Sequence, residues 1–197
     1  TPAEDENNYI VVSTSGDKGK TWEEVLAIDP DGPGPVRAYD PEVWIDPDGQ
    51  LWVFWAQHIK PVRFTNCGVW AMTAKNSELA ETEWTQPKRL SDGVMMCKPV
   101  VLSDGGWALP VSLWQEIENS ARIVVSSDRG QTWQVRGGAN VPENDRNHDE
   151  HMVVERKDGS LWMLVRTRYG IGESISNDRG HSWSPLLPSR IQHPPAR

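Results

Sequence analysis

One eight-residue phrase constrains this chain more than any other feature: Ser15 to Trp22 reads SGDKGKTW, Ser126 to Trp133 reads SSDRGQTW, and Ser176 to Trp183 reads SNDRGHSW. All three obey S-x-D-x-G-x-[ST]-W. A pattern fixed at five positions and met three times marks a repeat architecture, in which each copy is one supersecondary unit. Chemistry accounts for the spacing. The Asp carboxylate can accept backbone N–H bonds within a turn, Gly permits a positive φ, the hydroxyl ties the exit, and Trp can wedge between neighbouring sheets. The phrase reads as a hairpin staple. Asp17, Asp128 and Asp178, with Trp22, Trp133 and Trp183, are therefore expected to be structural, because a chemical centre occurs once and a staple recurs.

A second phrase alternates with the first. PEVWIDPDGQLWVFWAQ at 41–57, KPVVLSDGGWALPVSLWQ at 98–115 and EHMVVERKDGSLWMLVRT at 150–167 each read as strand, D-G or D-G-G turn, strand. Together the phrases predict an A–B hairpin followed by a C–D hairpin, repeating roughly every 50 residues as four-stranded propeller blades do. The expected fold class is all-β, a β-propeller of antiparallel blades. A half blade is expected at 9–28, full blades at 41–91, 97–137 and 150–188, and the start of another at 190–197, all in one incomplete domain. In the second unit the C–D turn is degenerate, running through AKNSELAETEW at 74–84. Such an array cannot close a ring and leaves faces and edges unprotected, so a longer parent is expected.

The net charge of −8 comes with basic residues scattered singly, which argues against nucleic acid as a partner. No apolar window is long enough to span a membrane, and the start at Thr1 shows no basic-then-apolar signal segment. Cys67 and Cys97 are the only thiols, and either two buried free cysteines or one disulfide is open to them.

Antiparallel strands alternate ends, so the start of A, the end of B and the start of C share one rim, and the A–B turns and staples share the other. The first rim collects polar residues that the turns do not need. These are Arg37, Asp40, Gln57 and His58 in one blade, and Lys98, Gln115 and Glu116 in the next. The third supplies His148, Asp149, Glu150, His151, Arg166 and Arg168, and Glu4, Asp5 and Glu6 precede the first C strand. The inner part of that rim is the expected ligand site.

The staple resembles the Asp box, or BNR repeat, of the sialidase superfamily, and the resemblance implies a six-bladed parent acting as an exo-glycoside hydrolase on a terminal acidic sugar. The segment 150–166 resembles the sialidase stretch in which a glutamate opens strand A and an arginine closes strand B. It implies that Glu150 accepts the proton of a nucleophilic tyrosine and that Arg166 is one of three arginines clamping the substrate carboxylate. The opening segment resembles the first sialidase blade, which makes Asp5 the acid/base, with Glu4 close behind. Arg fits a carboxylate as a planar charged fork, and a carboxyl in a partly dry site can hold its proton for a leaving oxygen. Arg37, Asp40, His151, Arg168 and Arg197 complete the expected substrate contacts. The resemblance further implies a sialylated or other acidic glycan as partner, no cofactor, no metal, and a secreted or periplasmic location.

Departures accompany the match. His151 stands where sialidases usually have Asn, and Tyr9, Tyr39 and Tyr169 do not sit where the family nucleophile would. Three other readings stand beside the hydrolase. Glu150 and Arg166 could form a structural ion pair across one hairpin, His58, His148 and His151 could serve a uronic-acid polysaccharide lyase or a related glycosidase, or the propeller could bind glycans or proteins without catalysis.

Overall fold

Valine, isoleucine and tryptophan alternate with small and polar residues along most of this chain, and the strands follow that pattern. The computed structural model describes residues 5, 7–60, 66–74, 83–114 and 120–191. Glu4, Glu6, Gln115, Glu116, Arg197 and most of the degenerate turn at 74–84 lie outside the described residues. Within them the regular elements are β-strands, with short 3₁₀ turns such as Glu143–Asp145.

The strands form four antiparallel sheets in chain order. The first pairs β1 (Ile10–Thr14) with β2 (Glu23–Ile28). The second runs β3 (Val36–Ile45), β4 (Leu51–Ile59), β5 (Cys67–Thr73) and β6 (Lys88–Asp92). The third runs β7 (Val100–Val101), β8 (Trp107–Ser112), β9 (Ala121–Ser126) and β10 (Gln134–Ala139), and the fourth β11 (Arg146–Glu155), β12 (Leu161–Thr167), β13 (Gly170–Ser176) and β14 (Leu187–Pro188). These are the antiparallel blades that the repeats predict.

Each Asp box closes a hairpin by satisfying its own turn. In the third sheet Asp128 Oδ1 accepts from Thr132 N at 2.8 Å, Oδ2 accepts from the Thr132 hydroxyl at 2.5 Å, and the Ser126 hydroxyl donates to Oδ1 at 2.8 Å while accepting from Gly130 N at 2.7 Å. Asp178 and Asp17 repeat the arrangement with Ser182 and Thr21. The residue between Asp and Gly is also left-handed, with φ of 64° at Lys18, 58° at Arg129 and 59° at Arg179. Two successive left-handed residues make the primed turn that suits a twisted hairpin.

Alternation within strands sends side chains to both sheet faces, and each full interface is built from facing rows. Val53 and Trp55 of β4 pack toward the first sheet with Ile10, Ile28 and Met72. Their neighbours Trp52 and Phe54 pack toward the third with Trp107, Leu109 and Val111. Between the third and fourth sheets lie Ile123, Val125, Val153, Leu161, Met163 and Val165. Trp133 and Trp183 join these clusters, and each indole N–H donates to its own box glycine carbonyl, at 3.1 and 3.0 Å. Trp22 departs from the wedge expected of it. It is 68% exposed, because the described residues include no sheet on that side of β1–β2.

Strands β3 and β11 start at Val36 and Arg146, ahead of positions 41 and 150. Both are carried back past a bulge, between Tyr39 and Glu42 in one and between Arg146 and His151 in the other. At these bulges Asp40 takes φ of 51°, His148 67° and Asp149 56°. Bulges re-aim side chains. No helix among the described residues is long and apolar enough to cross a membrane. Cys67 and Cys97 are both free thiols.

Candidate functional site

Hairpin parity brings Glu150 and Arg166 together. Beyond the bulge, β11 pairs His151 with Val165 and Met152 with Leu164, which places Glu150 beside Arg166 at the head of the hairpin. Arg166 Nη1 donates to Glu150 Oε2 at 2.6 Å, with the side chains 29% and 15% exposed. The pair lies in a cleft of about 500 Å³ that His151, Met152, Leu164 and Ile171 line from the fourth sheet and Met96 and Cys97 from the segment between β6 and β7. This is the rim opposite the Asp boxes.

Charge near this cleft comes from Glu42 on β3, from Lys98 just before β7 and from Glu150 on β11. Burial raises the pKa of Glu42 on β3, with Lys98 opposing that shift. Burial, then Glu42 and Glu150, push the Cys97 thiol up. Both carboxylates therefore lie within electrostatic reach of one sulfur. Sequence reasoning passed over Glu42, although a lone acid in the otherwise apolar run PEVWI was a usable signal.

His151 is placed differently from its expected role. It is 4% exposed on the opposite face of β11 from Glu150. Its Nε2 lies 2.8 Å from Arg122 O, and its Nδ1 lies 3.1 Å from Asp149 O and 3.2 Å from the Ser112 hydroxyl. Burial lowers its pKa, and the ring is a strut between the third and fourth sheets, although the residue also borders the cleft. Strand alternation accounts for this: Val153 and His151 share a face, and Glu150 belongs to the other.

The other expected contacts sit elsewhere on the rim. Arg168 is exposed, and its Nε donates to Arg146 O at 2.9 Å, outside the cleft lining. The Arg37 guanidinium carbon sits 4.4 Å above the ring of Tyr39. Asp40 occupies the bulge of β3 that corresponds to the bulge before Glu150. Asp5 accepts from Asn7 N at 2.9 Å in a turn whose Asn8 carbonyl accepts from Ala38 N at 3.0 Å, which ties it to the head of β3. Arg197 lies outside the described residues.

The three histidines named for lyase chemistry do not gather in the cleft. His58 is buried edge-on to Tyr39, with ring centroids 5.1 Å apart, and His148 lies edge-on to Trp114 at 5.2 Å. Asp149 is 1% exposed, Arg146 Nε is 3.6 Å from it, and burial raises its pKa.

Solved structures share this architecture. A protein of unknown function from Dyadobacter fermentans superposes with a TM-score of 0.72 at 19% identity, over 98% of this chain and 62% of that one. The Hadza microbial sialidase Hz136 gives 0.66 at 21% identity, over 94% of this chain and 42% of that one. NanB sialidase of Streptococcus pneumoniae gives 0.67 at 15% identity, over 97% and 48%. The chain thus spans 62% of the first of these relatives and under half of the two sialidases. No curated protein matches the sequence. Identities this low establish a shared fold, the sialidase-like propeller. The model of the BNR repeat-like domain matches residues 34–196, most of the length, and the chain belongs to that family.

Proposed function

We propose that the propeller containing these sheets is an exo-glycoside hydrolase of the sialidase type. The observation that carries this reading is the Glu150–Arg166 pair, held at 2.6 Å in a cleft on the rim free of Asp boxes. In the proposed reaction Arg166 exchanges Glu150 for the sugar carboxylate, a planar fork against a planar anion. Glu150, released from that contact, takes the proton of a tyrosine that attacks the anomeric carbon. Asp5 gives its proton to the departing glycosidic oxygen, so the leaving sugar departs neutral. The low exposure of Glu150 and Arg166 supports this, because charge pairs count for more where water is scarce.

The test is hydrolysis of 3′-sialyllactose by that propeller. Release of sialic acid that Arg166→Ala abolishes supports the reading, and no release from any sialoside by the folded propeller refutes it. The chain of 197 residues alone is expected to give no turnover, since it contains no tyrosine in the nucleophile's place. One observation favours a second reading, glycan binding without catalysis: the Glu150 carboxylate is already engaged by Arg166. Sialoside binding with no turnover would select it.

A further inference from the structure

A second cavity lies on the same rim of the second sheet, on the flank facing β1–β2, and shares no described lining residue with the Glu150–Arg166 cleft. Its volume is about 570 Å³, within the range of small-ligand sites. Gln57, His58, Gly68, Trp70, Arg89 and Asp92 shape it, from the end of β4, the start of β5 and the end of β6.

Its polar groups are arranged in advance. Arg89 Nη2 donates to Cys67 O at 2.9 Å and pairs with Asp92 Oδ1 at 2.6 Å, so a guanidinium and a carboxylate are presented side by side, 38% and 44% exposed. Trp55 Nε1 donates to Gln57 Oε1 at 3.1 Å, which orients that amide and leaves its nitrogen as a donor. His58 is 3% exposed, and among the described residues its Nδ1 has no hydrogen-bond partner. Gly68 forms the floor. A Cβ there would stand 2.5 Å from Arg89 Nε and 3.1 Å from Trp70 Nε1, so the guanidinium and indole converge because this residue has no side chain.

We propose that this cavity is a second, non-hydrolytic sugar site that takes a neutral pyranose. Adjacent hydroxyls each donate and accept, which matches a donor fork set beside a carboxylate. The Trp70 indole borders the cavity and gives it an aromatic wall for a sugar ring. Arg89 and Asp92 neutralise one another, which suits an uncharged ring. Asp92 is the one carboxylate in the described lining, and the carboxylate pair of an ordinary glycosidase is missing from it. This site does not depend on the sialidase reading.

The experiment uses the full chain with its tryptophan indoles labelled with ¹⁵N, titrated with lactose, maltose and cellobiose. Millimolar lactose is expected to shift the Trp70 indole signal. Arg89→Ala and Gly68→Ala should each weaken that binding about tenfold or more, the worth of a charged hydrogen bond. Gly68→Ala presses on the Arg89 guanidinium and the Trp70 indole edge and on no backbone atom, so it reports even where Arg89→Ala fails to fold. Arg166→Ala should leave it unchanged, which separates this result from any outcome of the sialoside assay. No shift with any of the three sugars, or binding that survives both substitutions, overturns the proposal, as does displacement of lactose by free sialic acid.

Discussion

The two rims of these sheets use their polar groups in opposite ways. On one, Asp17, Asp128 and Asp178 turn their carboxylates inward on their own hairpins, where hydrogen bonds from Thr or Ser hydroxyls and backbone N–H groups hold each pKa below the ordinary carboxylate value. On the other, burial raises the pKa values of Glu42 and Asp149. The first rim uses its Asp-box carboxylates on its own turns and other polar groups across sheets, Arg129 on Asp48 and Glu155 on Ser103. The rim on which burial raises carboxylate pKa values is the one arranged to meet something from outside.

Function is where the rims should differ most. In the complete propeller, Arg166→Ala or Glu150→Gln is expected to lower sialoside turnover by roughly 10²–10⁴-fold, with the far-ultraviolet spectrum unchanged. Asp128→Ala should lower the melting temperature and leave the turnover of the remaining folded protein unaltered. An Asp box variant that lost activity at full stability would break the comparison.

Packing should give the next largest effect. Trp183→Ala removes an indole wedged between the third and fourth sheets and should cost about 3 kcal/mol in denaturant unfolding.

The pH dependence should carry opposite signs. Asp128 has its pKa lowered from 3.8 to about 2, so its stabilisation is present above the unfolded value and is lost as the pH falls toward 2. Asp128→Asn should flatten the acid limb of a stability curve there. Glu42 has its pKa raised above 4.5, so its protonated form favours the fold and its ionisation costs stability as the pH rises past the folded value. Glu42→Gln should therefore raise the melting temperature at neutral pH and not under acid conditions. The smallest expected effect is at Trp22, where 68% exposure predicts that Trp22→Ala stays within about 0.5 kcal/mol of the parent.

Much of this was legible in the residues. Three copies of S-x-D-x-G-x-[ST]-W and three D-G hairpins dictated the antiparallel sheets, because turn chemistry is local and repeats average out ambiguity. The meeting of Glu150 and Arg166 was legible for a related reason, since parity within one hairpin needs no knowledge of the tertiary structure. His151 lies on the face of β11 opposite Glu150, which alternation along the strand dictates. The bulges of β3 and β11 were harder to foresee, because Asp40, His148 and Asp149 carry positive φ without a glycine to announce it. The cavity over Gly68 joins residues from three strands, and no short motif marks such a meeting.

The most direct measurement is a crystal structure of the complete propeller with sialic acid bound. The account predicts the sugar carboxylate on the Arg166 guanidinium, with Glu150 moved off it and no ligand contact to any Asp box. Sialic acid seated elsewhere while the Glu150–Arg166 pair stays closed would contradict it.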